Sequence, residues 1–138
     1  MGDQPTPPRA TTVLICDDLA MMRGMLRALV DLMPGMSVVG EAADGEAAIS
    51  EASRLQPDLI LLDLAMPVLS GLDALPRLRQ VAASAKIVVL AGFSTETVAD
   101  EVLALGADRY VEKGTDLDTI VAVLENVVAD TTSSVRLA

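Results

Sequence analysis

Read from the amino end, the chain alternates two kinds of apolar pattern. TVLIC (12–16), DLILLD (58–63) and KIVVLA (86–91) are nearly unbroken apolar runs and read as strands buried on both faces. SVVGEA (37–42) and DRYVEK (108–113) read as two further strands. Between the strands, apolar residues recur at steps of three and four. Leu19, Met22, Leu26, Leu29 and Met33 predict a helix over about 19–33, halted by Pro34-Gly35. Asp44-Gly45 leads into a second helix that ends near Leu55, before Pro57. Gly71 opens a third, running to about Ala83, and a fourth covers 95–105 and stops at Gly106. The last spans 116–129, with Leu117, Ile120, Val121, Leu124, Val127 and Val128 as its inner stripe.

Five strand–helix units predict an α/β fold: an open, doubly wound, five-stranded parallel sheet with five helices. A length of 138 residues suits a single domain, expected over residues 12–129. Residues 1–11, rich in Pro and Thr, read as a flexible lead, and residues 130–138 (DTTSSVRLA) as a flexible polar tail. No internal repeat is present, and a chain complete at these ends would carry no output module.

In such a sheet, ligands bind beyond the carboxyl ends of the strands. The first strand runs into Cys16-Asp17-Asp18, the third into Asp63, the fourth into Ala91-Gly92 and the fifth into Glu112-Lys113-Gly114. Parallel strands bring these ends to one edge. Clustered carboxylates repel one another unless a cation or a proton intervenes. Their hard oxygens suit Mg²⁺, and Mg²⁺ suits phosphate chemistry. In that chemistry Asp63 is the nucleophile that becomes an acyl phosphate, while the metal and Lys113 neutralise phosphoryl charge. Each residue alone has a plainer reading: Asp18 as a helix cap, Asp63 as a structural strand end, Lys113 as a solvated surface side chain. The combination at one edge favours a site.

Composition narrows the choice. Twenty acidic residues against ten basic give a net charge of −10, which repels phosphate backbones and argues against a direct nucleic-acid partner. One Tyr, one Phe and no Trp leave no base-stacking platform. The absence of histidine removes imidazole as base, nucleophile or ligand, so any metal is a hard cation held by oxygen. Cys16, the only cysteine, excludes an internal disulfide and reads as inert packing rather than a redox switch. No run approaches the roughly 18 apolar residues of a membrane span, and the amino end has no apolar signal segment. A cytoplasmic protein without a membrane partner is expected. Met21, Met22, Met25, Met33, Met36 and Met66 read mostly as core filler near the first helix, with an adaptable binding surface as the alternative.

Over residues 12–129 the sequence resembles the receiver domain of two-component response regulators. The resemblance rests on Asp17-Asp18 after the first strand, on DLILLDLAMPVLSGLDAL and on GADRYVEKG, at matching spacing. It implies a flavodoxin-like sheet of strand order 2-1-3-4-5, with Asp63 as phosphoacceptor. It implies Mg²⁺ bound by Asp18 and Asp63, by Asp17 mainly through water, and by the carbonyl of Ala65. Lys113 would pair with Asp63 or its phosphoryl group. Tyr110 matches an aromatic switch residue that turns inward on activation. The implied partners are a histidine kinase or phosphotransfer protein as donor and a downstream protein meeting the fourth helix, fifth strand and fifth helix. A phosphorylation-dependent homodimer is a further implied partner. The expectation is a stand-alone regulator like those of chemotaxis, assisting only its own phosphorylation and dephosphorylation and not otherwise an enzyme.

Two positions depart from the family pattern. Ala91 stands where a Ser or Thr hydroxyl normally donates to a phosphoryl oxygen, and losing one such donor slows the chemical step by up to about 10²-fold. That hydroxyl also links phosphorylation to the aromatic switch, so Tyr110 is expected to be uncoupled or already inward. Ser94 or Thr95 would substitute only through a loop movement. Gly114 follows Lys113 where many receivers have proline, a variation in loop shape. Two rivals remain. One is a receiver that binds protein without phosphorylation because of Ala91. The other is an aspartyl-phosphate hydrolase, which Ala65 opposes by standing where that family has a second aspartate. A flavin-binding sheet lacks support after the first strand.

Overall fold

The computed structural model describes residues 9–92 and 96–137. Its strands are β1 Thr11–Cys16, β2 Met36–Ala42, β3 Leu59–Asp63, β4 Lys86–Ala91 and β5 Arg109–Glu112. Its helices are α1 Ala20–Asp31, α2 Gly45–Leu55, α3 Gly71–Val81, α4 Glu96–Ala104 and α5 Leu117–Leu137. All pairings are parallel and the order is β2-β1-β3-β4-β5, the doubly wound arrangement expected. Burial explains the order. All five residues of β3 are buried, and β3 takes the centre. β2 and β5, with exposed residues along their length, take the edges.

Strand side chains alternate between two cores. Leu14, Cys16, Ile60, Leu62, Ile87 and Val89 pack under α2, α3 and α4. Val13, Ile15, Leu59, Leu61, Val88 and Leu90 pack under α1 and α5. Polar side chains set two helix starts: Asp44 accepts from the Ala47 N–H at 2.8 Å, and Ser70 accepts from the Asp73 N–H at 3.1 Å.

Several boundaries differ from expectation. The helix expected to end at 129 runs to Leu137, so the segment from 130 expected as a flexible tail continues helical; no Gly or Pro follows Thr115 to stop it. The lead expected to be flexible through 11 is tied at its end: Arg9 Nη2 donates to Asp58 Oδ1 at 2.7 Å, and the Thr11 N–H to the Gly35 carbonyl at 2.7 Å. Leu19 and Leu117, expected on inner stripes, are 56% and 53% exposed, because each sits at the mouth of its helix rather than over the core. The methionines divide. Met33 and Met66 are buried and Met22 and Met36 half-buried, but Met21 and Met25 face solvent.

Candidate functional site

At the carboxyl edge of the sheet, Asp17 and Asp63 are the two buried charged residues among the described residues. β1 and β3 are neighbours, so their last side chains converge. β5 supplies the counter-charge. The Lys113 N–H donates to the Ala91 carbonyl at 2.7 Å, holding the start of the β5–α5 loop against β4. Its Nζ lies 2.9 Å from Asp17 Oδ2 and 3.1 Å from Asp63 Oδ1. The ammonium thus bridges two carboxylates, where the sequence reading paired it with Asp63 alone.

The carboxylates are tethered differently. Asp17 Oδ1 accepts from the Leu19 N–H at 3.0 Å, and Asp63 Oδ1 from the Ala65 N–H at 3.2 Å. Asp17 Oδ2 is buried without a well-directed hydrogen bond and has only the nearby ammonium to answer it. Asp18 is exposed, and it does not cap α1: the N-cap residue is Leu19, with no side-chain cap. The cap reading of Asp18 is therefore corrected; the adjacent Asp17 takes the Leu19 amide instead.

Burial, then the charge of Asp17, push the Asp63 carboxyl above its ordinary value, against the hydrogen bond from Lys113. Burial pulls the Lys113 ammonium down, but its ion pairs with Asp17 and Asp63 outweigh this and hold it above its ordinary value. Burial, then Asp17, push the Cys16 thiol strongly upward, which keeps it protonated and inert.

One oxygen each from Asp17, Asp18 and Asp63 lie within 4.8 Å of one another. Three carboxylates against one ammonium leave two negative charges, the charge a divalent cation would balance. All donors are oxygen, one buried oxygen lacks a hydrogen bond, and Asp18 opens to water. The arrangement fits Mg²⁺, which keeps several of its waters.

Ala65 is exposed in the loop after β3. Ala91 is buried and, with Leu64, Ala65, Ser70, Leu72, Gly92 and Val98, lines an apolar hollow of about 310 Å³ beside the acids. Tyr110 is half-buried against the core beneath α2, α3 and α4. Gly114 is exposed, and Ser94 and Thr95 lie outside the described residues.

Three residues near the site escaped the sequence reading in this role. Gly71, read there only as a helix opener, lies so close to the Asp63 carbonyl that no side chain fits. Val68 takes φ +68° in a tight turn closed by the Leu69 N–H on the Pro67 carbonyl at 2.7 Å, a strained choice for a β-branched residue. Arg23 donates to the Asp17 carbonyl at 2.8 Å. Only Gly71 left a trace in the sequence, as the glycine that follows Ser70.

A doubly wound sheet with an acid cluster and a lysine at its carboxyl edge is the arrangement expected of a receiver domain. The chain belongs to the response regulator receiver domain family, which it matches over residues 13–125. It is 39% identical over 118 residues to the nitrate/nitrite response regulator protein NarL of Escherichia coli, covering 86% of this chain and 55% of that protein. It is 32% identical over 115 residues to the chemotaxis protein CheY of Thermotoga maritima, covering 83% of this chain and 95% of that one. The response regulator domain of Thermotoga maritima CheB matches with a TM-score of 0.80 at 30% identity, over 90% of this chain and 98% of that one. The chain thus spans about half the length of the first relative and nearly all of the second. Among the described residues no helix is long and apolar enough to cross a membrane.

Proposed function

We propose that this protein is a cytoplasmic, Mg²⁺-dependent phosphoacceptor that takes a phosphoryl group on Asp63 and signals by changing its contacts with other proteins. The observation that carries this reading is the buried Asp17–Lys113–Asp63 bridge with Asp18 beside it. An Asp63 carboxylate oxygen attacks phosphorus in line with the bond to the donor's imidazole nitrogen. That bond breaks, the freed histidine takes up a proton, and Asp63 holds an acyl phosphate. Lys113, already between two carboxylates, transfers its attention from Asp63 to a phosphoryl oxygen. Asp17, Asp18, Asp63 and the Ala65 carbonyl would hold Mg²⁺, which supplies charge neutralisation for the transferred group. Ala65 stands where an aspartyl-phosphate hydrolase carries its second acid, which favours a regulator over that rival.

The donor is a histidine kinase or phosphotransfer protein. Exposed apolar side chains flank the acids, with Leu19 beside Asp18, Met21 and Met25 along α1, and Val68 in the loop after Asp63. They offer the donor a docking surface. The test is intact-mass spectrometry after incubation with Mg²⁺ and either acetyl phosphate or a histidine-phosphorylated donor. A magnesium-dependent adduct absent from Asp63→Asn supports the reading, and no adduct from either donor overturns it.

The hollow beside Ala91 favours a second reading, a receiver that binds its partner without phosphate. In it, beryllofluoride with Mg²⁺ would leave the Tyr110 environment and partner affinity unchanged. In the first reading both change, and Ala91→Thr enlarges the change.

A further inference from the structure

Asp18 is the least restrained member of the acid cluster. Asp17 is fixed by the Leu19 N–H and by Lys113, and Asp63 by the Ala65 N–H and by Lys113. Among the described residues no hydrogen bond or ion pair reaches the Asp18 side chain, which is exposed and caps no helix. Its direction depends on the main chain that carries it.

That main chain is held by Arg23. Nη1 donates to the Asp17 carbonyl at 2.8 Å, gripping the peptide unit that joins Asp17 to Asp18. The same guanidinium donates through Nε to Glu41 Oε1 at 2.9 Å. Glu41, on β2, is braced in turn by Arg27, whose Nε and Nη2 reach Oε2 at 2.9 and 2.7 Å. The Arg23 side chain is only 20% exposed, so solvent competes weakly for these bonds. One planar fork thus ties α1, the edge strand and the carbonyl of the acid pair together.

We propose that Arg23 is a positioning residue for divalent-cation binding: through the Asp17 carbonyl it fixes the Asp17–Asp18 peptide and so aims Asp18 toward Asp63. The inference rests on the reading of Asp17, Asp18 and Asp63 as a cation site. Residues that orient metal ligands typically change affinity by 10- to 100-fold when removed. Simple electrostatics gives the opposite sign, because Arg23 is a positive charge beside a site for a cation. Deleting it would tighten binding if charge were its only effect, and loosens binding if orientation dominates.

The test is calorimetric titration of Mg²⁺ into the wild-type chain, Arg23→Ala, Arg23→Lys and Arg27→Ala, with urea unfolding of each and metal-free amide exchange at Asp18 and Leu19. Arg23→Ala is expected to weaken Mg²⁺ binding about tenfold. Arg23→Lys keeps the charge but cannot serve both the carbonyl and Glu41, so it falls between. Arg27→Ala, which leaves the carbonyl bond in place, stays within about threefold of wild type. Amide exchange at Asp18 and Leu19 rises in Arg23→Ala and stays near wild type in Arg27→Ala. Mg²⁺ affinity in Arg23→Ala equal to or above wild type overturns the inference, and Arg23→Lys carries the comparison if the alanine variant does not fold. Absence of Mg²⁺ binding by wild type would defeat the cation-site reading and with it this role. The exchange data then separate the causes, since unchanged exchange in Arg23→Ala shows that the peptide was never held by Arg23.

Discussion

Strand β3 is preceded by one aspartate and ends in another, and the two are treated in opposite ways. Asp58, at the amino end, is saturated. Its Oδ2 accepts from the Thr12 N–H at 2.9 Å and hydroxyl at 3.1 Å, and its Oδ1 from Arg9 at 2.7 Å. Burial would raise its pKa, but the bonds from Thr12 and Arg9 outweigh it and hold the carboxyl below the ordinary range. Asp63, at the carboxyl end, is more deeply buried and less completely answered. It shares one ammonium with Asp17, and its pKa moves up. A carboxylate that serves folding has its acceptor sites filled, whereas one that serves chemistry keeps capacity for an incoming group. The comparison separates the two roles without reference to sequence position.

The comparison is tested most strongly by Asp63→Asn. It is expected to abolish phosphoryl labelling completely while leaving stability in urea equal to or above wild type, because one member of a repelling acid pair is neutralised. Asp58→Asn is expected to do the reverse, leaving labelling intact and costing about 2 kcal/mol in urea unfolding, since an amide cannot accept all three bonds. Equal stability losses in the two variants would erase the distinction.

The acid limb of the stability curve sharpens it. The lowered Asp58 pKa gives a contribution complete above its unfolded value and lost as pH falls through the folded one. The raised Asp63 pKa gives a contribution complete below its unfolded value and lost as pH rises through the folded one. Urea unfolding from about pH 3 to 7 should therefore show a shallower acid loss in Asp58→Asn. Asp63→Asn should instead gain relative to wild type as pH rises. The smallest effect belongs to Arg9→Ala. Its side chain is 73% exposed, and losing its ion pair with Asp58 should cost about 0.5 kcal/mol or less, again read in urea.

Much of this was legible in the sequence, for a physical reason. A parallel sheet covered on both faces demands unbroken apolar strands, so β1, β3 and β4 announced themselves, and parallel pairing then carried Asp17, Asp18, Asp63 and Lys113 to one edge. Topology did the work that no single residue could. What stayed hidden depends on contacts between a side chain and distant backbone. Arg23 meets a carbonyl, which every residue has, and Gly71 meets the Asp63 carbonyl across a loop. Neither partner is encoded as a residue type. Leu19 and Leu117 fit a helical repeat but lie one step outside the region where that repeat is buried. The polar run of Thr and Ser after Ala129 reads as a stop, but no Gly or Pro enforces one and the helix continues through it.

The central claim is that Asp63, and not one of the acids around it, carries the phosphoryl group. Its most direct test is reductive trapping. The chain is incubated with Mg²⁺ and a phosphoryl donor and then treated with sodium borohydride, which reduces an acyl phosphate to the alcohol. The modified residue is mapped by peptide mass spectrometry. The account predicts homoserine at position 63 alone. Homoserine at Asp17, Asp18 or Asp58, or none anywhere after both small-molecule and protein donors, would contradict it.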